Sequence, residues 1–128
     1  MGMHEKFGDG TALVEQLVAL VRTDGLADLL AGFNDAGAEA EVQSWVGSIA
    51  NESTDRSAVE RAIGRTRLAE MSARLQADPK EVADGLARVI PAVVDRITPG
   101  GSMPTGAQLD DLDAGRLSAA LDLPALLG

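Results

Sequence analysis

Apolar residues recur at spacings of three and four along most of the chain, and no stretch shows the single alternation of a half-buried strand. Leu13, Val14, Leu17, Val18, Leu20 and Val21 cover most of the surface of a helix over residues 11–21. Asp24 stands where it can cap a second helix carrying Leu26, Leu29, Leu30 and Phe33, with Gly37 as its stop. A third short helix holds Val42, Trp45, Val46 and Ile49 and ends near Gly47.

A polar turn over residues 50–57 follows. Ser57 and Glu60 fit a reciprocal capping box, Val59 and Ile63 point inward, and Gly64 closes that helix. Residues 66–76 place Leu68, Met71 and Leu75 on one stripe. Asp78-Pro79-Lys80-Glu81 is the sharpest start signal in the chain: Asp caps, Pro suits the first turn, and Glu81 reaches back three residues. The helix after it carries Val82, Leu86, Val89, Ile90, Val93 and Ile97, with Pro91 inside the pattern. A proline there removes one ladder bond and crowds the preceding turn, at about 3 kcal/mol, so the pattern predicts a kink or two abutting helices. Thr98-Pro99-Gly100-Gly101 is a hard stop, and residues 108–121 form two short stretches divided near Gly115 before the tail LDLPALLG.

These elements predict an all-α fold, a compact single-domain bundle of six to eight short helices. Residues 57–90 form a helix-turn-helix-like hairpin within it. The expected core includes Leu29, Leu30, Phe33, Trp45, Ile63, Leu68, Leu75, Val82, Leu86, Ile90 and Val94. Residues 1–10 read as a flexible N-terminus, 11–104 as the helical domain and 105–128 as a C-terminal helical extension.

Residues 26–104 contain a series of blocks in fixed order. Gly25-Leu26 enters a leucine-rich helix, then come Val42-Gln43-Ser44-Trp45-Val46-Gly47, a polar turn and Ala62-Ile63-Gly64. Asp78-Pro79-Lys80-Glu81, Leu86…Ile90-Pro91…Val94-Asp95 and Thr98-Pro99-x-Gly101-x-x-Pro104 complete the series. In these features the chain resembles the YidB-like family, small bacterial proteins of uncharacterised function. The resemblance implies a compact multi-helix domain and carries no catalytic residues. Gln76 departs from the pattern, since family members more often have Gly there, so a left-handed helix end at this position would be strained. The last twenty-odd residues extend past the usual end.

Composition narrows the chemistry. The 128 residues hold no Cys, no Tyr, one His and three aromatic side chains, Phe7, Phe33 and Trp45. Thiol nucleophiles, disulfides, Cys-bound metals and His-rich sites are excluded as a class. His4 lies in the terminal segment, which leaves a Ser-His-Asp set without its base. Asp84 and Asp95 are not marked as a working pair, and neither Gly8-Asp9-Gly10 nor Pro99-Gly100-Gly101 sits in a strand-loop-helix setting. Asp110-Asp111-x-Asp113 lacks the glycine and glutamate spacing of a calcium loop and reads as acidic residues at a helix start. The expectation is a non-enzymatic protein with no cofactor and no metal.

The best case for nucleic acid is the segment 56–74, where five arginines face two glutamates. Arg61, Arg65, Arg67, Arg74 and Lys80 are the candidate phosphate contacts of a regulator using the hairpin 57–90. Against it stand a formal net charge of −9 and the carboxylates Glu81 and Asp84 on the helix that would enter a groove. The alternative is a helical hairpin packed for its own sake. Trp45 likewise reads as a core anchor in preference to a surface hot spot.

The apolar excess at the two ends is the stronger signal. Leu13, Leu17 and Leu20, with Leu117, Leu121, Leu126 and Leu127, exceed what helices with one buried face need. Either they extend the core or they cover a neighbouring subunit, because contiguous exposed apolar surface above roughly 300–600 Å² marks an interaction site. The functional expectation is a module that self-associates as a homo-oligomer or binds another protein through these leucines. The opening residues carry Lys6 against Glu5 and Asp9, unlike a cationic leader, and the run 11–21 is too short for a bilayer span of ~20 residues. A cytoplasmic location without a membrane span is expected.

Overall fold

The computed structural model describes residues 10–46, 53–98 and 104–121. Among these residues there are eight α-helices and no strand: α1 (Thr11–Asp24), α2 (Leu26–Asp35), α3 (Glu39–Val46), α4 (Arg56–Ile63), α5 (Arg65–Leu75), α6 (Pro79–Ile97), α7 (Gly106–Asp110) and α8 (Ala114–Ala120). The fold is all-α, as the spacing requires. Ile49 of the expected third helix lies outside the described residues.

Helix α6 is the axis of the bundle, packed against α1, α3, α4 and α5. Eleven of its nineteen residues are buried, including Val82, Leu86, Val89, Ile90, Val93 and Val94. That burial explains why α6 runs unbroken through Pro91 and does not divide in two. The cost of proline is about 3 kcal/mol, whereas each large side chain shielded from water contributes about 1.5–3 kcal/mol. Asp78 opens the helix as expected: its Oδ1 accepts from the Lys80 amide at 2.9 Å, and Pro79 occupies the first turn.

Helix α2 bridges α1, α3 and α4, its Leu26, Leu29, Leu30 and Phe33 all buried. The Phe33 ring meets Trp45 of α3 edge to face, with centroids 5.2 Å apart and planes at 88°, a favoured aromatic geometry. Trp45 is fully buried, so it anchors the core. Leu75 is the one expected core residue that remains partly exposed, at the end of α5. The buried hydroxyls are satisfied within their own helices: Ser44 donates to Glu41 O, Ser72 to Ala69 O and Thr98 to Val94 O.

Several helix ends differ from the sequence expectation. Asp24 belongs to α1, and the residue entering α2 is Gly25, with φ +89°. Gly64, with φ +91°, makes the same one-residue junction between α4 and α5. A positive φ lets one residue reverse the chain between abutting helices, which costs glycine little. The cap of α4 is Asp55, not Ser57; its Oδ1 accepts from the Ala58 amide at 2.9 Å. The break between α7 and α8 falls at residues 111–113, and Gly115 lies inside α8.

Candidate interaction surface

Helix α1 (TALVEQLVALVRTD) has two apolar rows at i, i+3 and i, i+4 spacing, Leu13–Leu17–Leu20 and Val14–Val18–Val21. It touches α2, α5 and α6 on the body of the bundle, and α7 and α8 on the other side. One helix serves two layers, which accounts for its unusual width of apolar surface. Leu13, Leu17, Val14, Val18 and Val21 are all buried within their own chain. Leu13 and Leu17 therefore do not face outward as contact residues; the C-terminal pair and the body close over them. Leu20 is partly exposed, in a shallow groove with Met71 and Arg74 where α1 meets α5.

The C-terminal pair is assembled from local caps. Thr105 and Gln108 form a reciprocal capping box at α7, and Asp113 Oδ1 accepts from the Arg116 amide to cap α8. The acidic run is thus absorbed as helix punctuation: Asp110 ends α7, Asp111 follows it and Asp113 starts α8. Leu117 is buried within its own chain, the first of the two placements open to it, while Leu109, Leu112, Ala114 and Leu121 are partly buried against the core. Leu126 and Leu127 lie outside the described residues.

Arg22 ties this pair to α1. Its Nε donates to Leu109 O at 3.1 Å, and its Nη2 donates to Asp110 O at 2.9 Å and to Leu112 O. The last carbonyls of a helix have no partner within it and carry the negative end of the dipole. A guanidinium presents its donors in a planar fork that reaches several such oxygens at once. Sequence reasoning missed Arg22, because its only local signal is a basic residue in the last turn of α1. Its partners lie 87–90 positions away.

The arginines of the alternative reading occupy a separate surface. Arg61, Arg65 and Arg74 are exposed, and Lys80 is exposed in the first turn of α6. Arg67 is half-buried and lies 3.7 Å from Asp28. Arg74 Nη1 contacts Gln16 Oε1 at 3.4 Å, and Arg56 lies 3.6 Å from Glu60 and 3.8 Å from Asp84. Arg61 and Arg65 flank a shallow groove at the α4–α5 junction that also holds Asp28 and Asp35. Carboxylates are thus interleaved with the arginines. The hairpin exists as α5 and α6, but its second helix is the axis of the core. The face it leaves outward carries exposed Lys80, Arg88, Asp95 and Arg96 with half-buried Glu81 and Asp84, so carboxylates stand among the cations that would meet a DNA groove.

The family model for YidB-like protein matches residues 6–106. The chain belongs to the YidB-like family. No curated protein and no solved structure matches it. The YidB-like match takes in α1 through α6 and ends where α7 begins, so nearly all of the C-terminal pair lies past it. Among the described residues of this YidB-like chain, no helix is long and apolar enough to cross a membrane, and no group of three or more His, Asp or Glu is placed to hold a metal ion.

Proposed function

We propose that this YidB-like protein is a non-enzymatic protein-interaction module whose contact surface is the apolar face of α1, shared with the C-terminal pair. The observation that carries this reading is the placement of α7 and α8. A segment past the family match covers α1 and makes no comparably extensive contact with any other helix. Surface that needs such a cover is apolar enough to recruit another protein when uncovered. The partner is a second copy or a different protein with an amphipathic helix of its own. The net charge of −9 favours solubility of the closed form. A cytoplasmic location belongs to the same reading, and cell fractionation tests it.

The full-length Leu117→Asp variant tests the surface. A carboxylate in place of the buried leucine lifts α8 from α1 and leaves the bundle intact. Expected are increased fluorescence of an apolar dye and a light-scattering mass above the 13.2 kDa of one chain. A variant that keeps its helical circular dichroism yet binds no dye and stays at one-chain mass overturns the proposal.

A further inference from the structure

We infer that the α7–α8 pair is an exchangeable clasp, able to leave its own α1 and seat on the α1 of a second copy. The inference rests on the reading of α1 as the contact surface and names both the partner and the way it binds.

Three features of the clasp carry it. First, its extensive packing is on α1 alone, so lifting it leaves the contacts among α1 to α6 in place. Opening of this kind is a local event, independent of global unfolding. Second, its apolar anchor is small. Leu117 is its one buried residue, with Leu109, Leu112, Ala114 and Leu121 only partly covered. Third, the polar part of the seat is Arg22 on the backbone carbonyls of Leu109, Asp110 and Leu112. Each of these groups is present on every copy in the same arrangement. A clasp from a second chain therefore rebuilds the whole seat without any new contact, which is the condition for domain exchange.

Effective concentration decides which form is populated. Because the clasp belongs to the same chain as its own α1, it meets that helix at an effective concentration on the order of millimolar. At micromolar protein the closed single chain therefore dominates, and exchange grows as the free concentration approaches that value or as the clasp's own seat is damaged.

The test pairs two full-length variants that damage opposite halves of the seat. Arg22→Glu repels the α7 carbonyls and frees an intact clasp; Leu117→Asp spoils the clasp and leaves an intact α1. Tagged Arg22→Glu chain is mixed with untagged Leu117→Asp chain at a few hundred micromolar, and capture is compared with that by a tagged chain carrying both changes. The double variant has the same α1 and no usable clasp. Exchange predicts about tenfold more capture by Arg22→Glu than by the double variant. Equal capture overturns it. If capture is equal while Leu117→Asp alone still binds dye and gains mass, exchange falls and the α1 reading stands. If Leu117→Asp does neither, both fall. Should Leu117→Asp lose its helical circular dichroism, Leu117→Ser takes its place in both arms.

Discussion

A Cβ placed on Gly32 of α2 would lie 2.6 Å from the carbonyl oxygen of Ala62 in α4. The two helices cross with backbone against backbone, and the obstacle is a main-chain atom that cannot rotate aside. Two effects compete in Gly32→Ala. Alanine is favoured over glycine in a helix interior by about 1 kcal/mol, whereas overpacking a tight contact costs about 1–3 kcal/mol. The contact is shorter than real Cβ atoms tolerate, so the clash wins. Gly32→Ala is expected to lower the urea midpoint with an unchanged m-value. An unchanged or higher midpoint would show that α2 and α4 move apart freely.

Gln76 predicts the opposite sign. It ends α5 with φ 53° and ψ 46°, the one non-glycine residue with positive φ among those described. A left-handed conformation costs an L-residue about 1–2 kcal/mol, and glycine relieves this while losing more entropy on folding, about 0.5–1 kcal/mol. Gln76→Gly is therefore expected to stabilise by about 0.5–1 kcal/mol and raise the Tm by a few degrees. Gln76→Ala serves as the control, since it shortens the side chain and keeps the strain.

The burial of α6 yields a prediction about nucleic acid. Phosphate contacts strengthen as salt falls, so a protein that uses them is retained on duplex DNA at low ionic strength and released as salt rises. With Asp28, Asp35, Glu60 and Asp84 among its arginines and its hairpin helix in the core, this chain is expected to pass through a DNA column unretained at low salt. Retention that falls when Arg61 and Arg65 are replaced by glutamine would restore the arginine reading.

Local signals made most of the bundle legible in the sequence. The Asp78-Pro79 start of α6, the stripe from Leu26 to Phe33 and the core role of Trp45 each depend on residues within a turn or two of one another. Helix ends were less legible. Asp24, Asp55 and Ser57 all satisfy the composition of a cap, and tertiary packing decides which one is used. Pro91 shows the same limit, because nothing local reveals that four helices pack against the helix that carries it. The candidate surface was half visible: the excess of Leu and Val in α1 was plain, but its cause was not. A helix that serves two layers and a helix that meets a partner need the same residues. Only the distant contact of Arg22 with α7 separates the two, and spacing within one helix cannot encode it.

That contact also divides the molecule into parts of different stability. Arg22→Ala removes the guanidinium from the carbonyls of Leu109, Asp110 and Leu112, at and just past the end of α7, where its side-chain hydrogen bonds all go. A hydrogen bond to a charged group contributes about 1.5–3 kcal/mol when shielded, and an exposed one less, so a loss of about 1 kcal/mol is expected for the clasp. Its effect should be confined to α7 and α8, where native-state amide exchange reads the free energy of local opening. The amides of Leu117 and Leu121, bonded to Asp113 O and Leu117 O, should exchange about five- to tenfold faster than in the parent chain. Amides in the middle of α6 should keep their rates, because they open only when the whole bundle does. Equal acceleration in α6 and α8 would mean that the C-terminal pair and the bundle unfold as one unit, and that α1 is never uncovered while the rest stays folded.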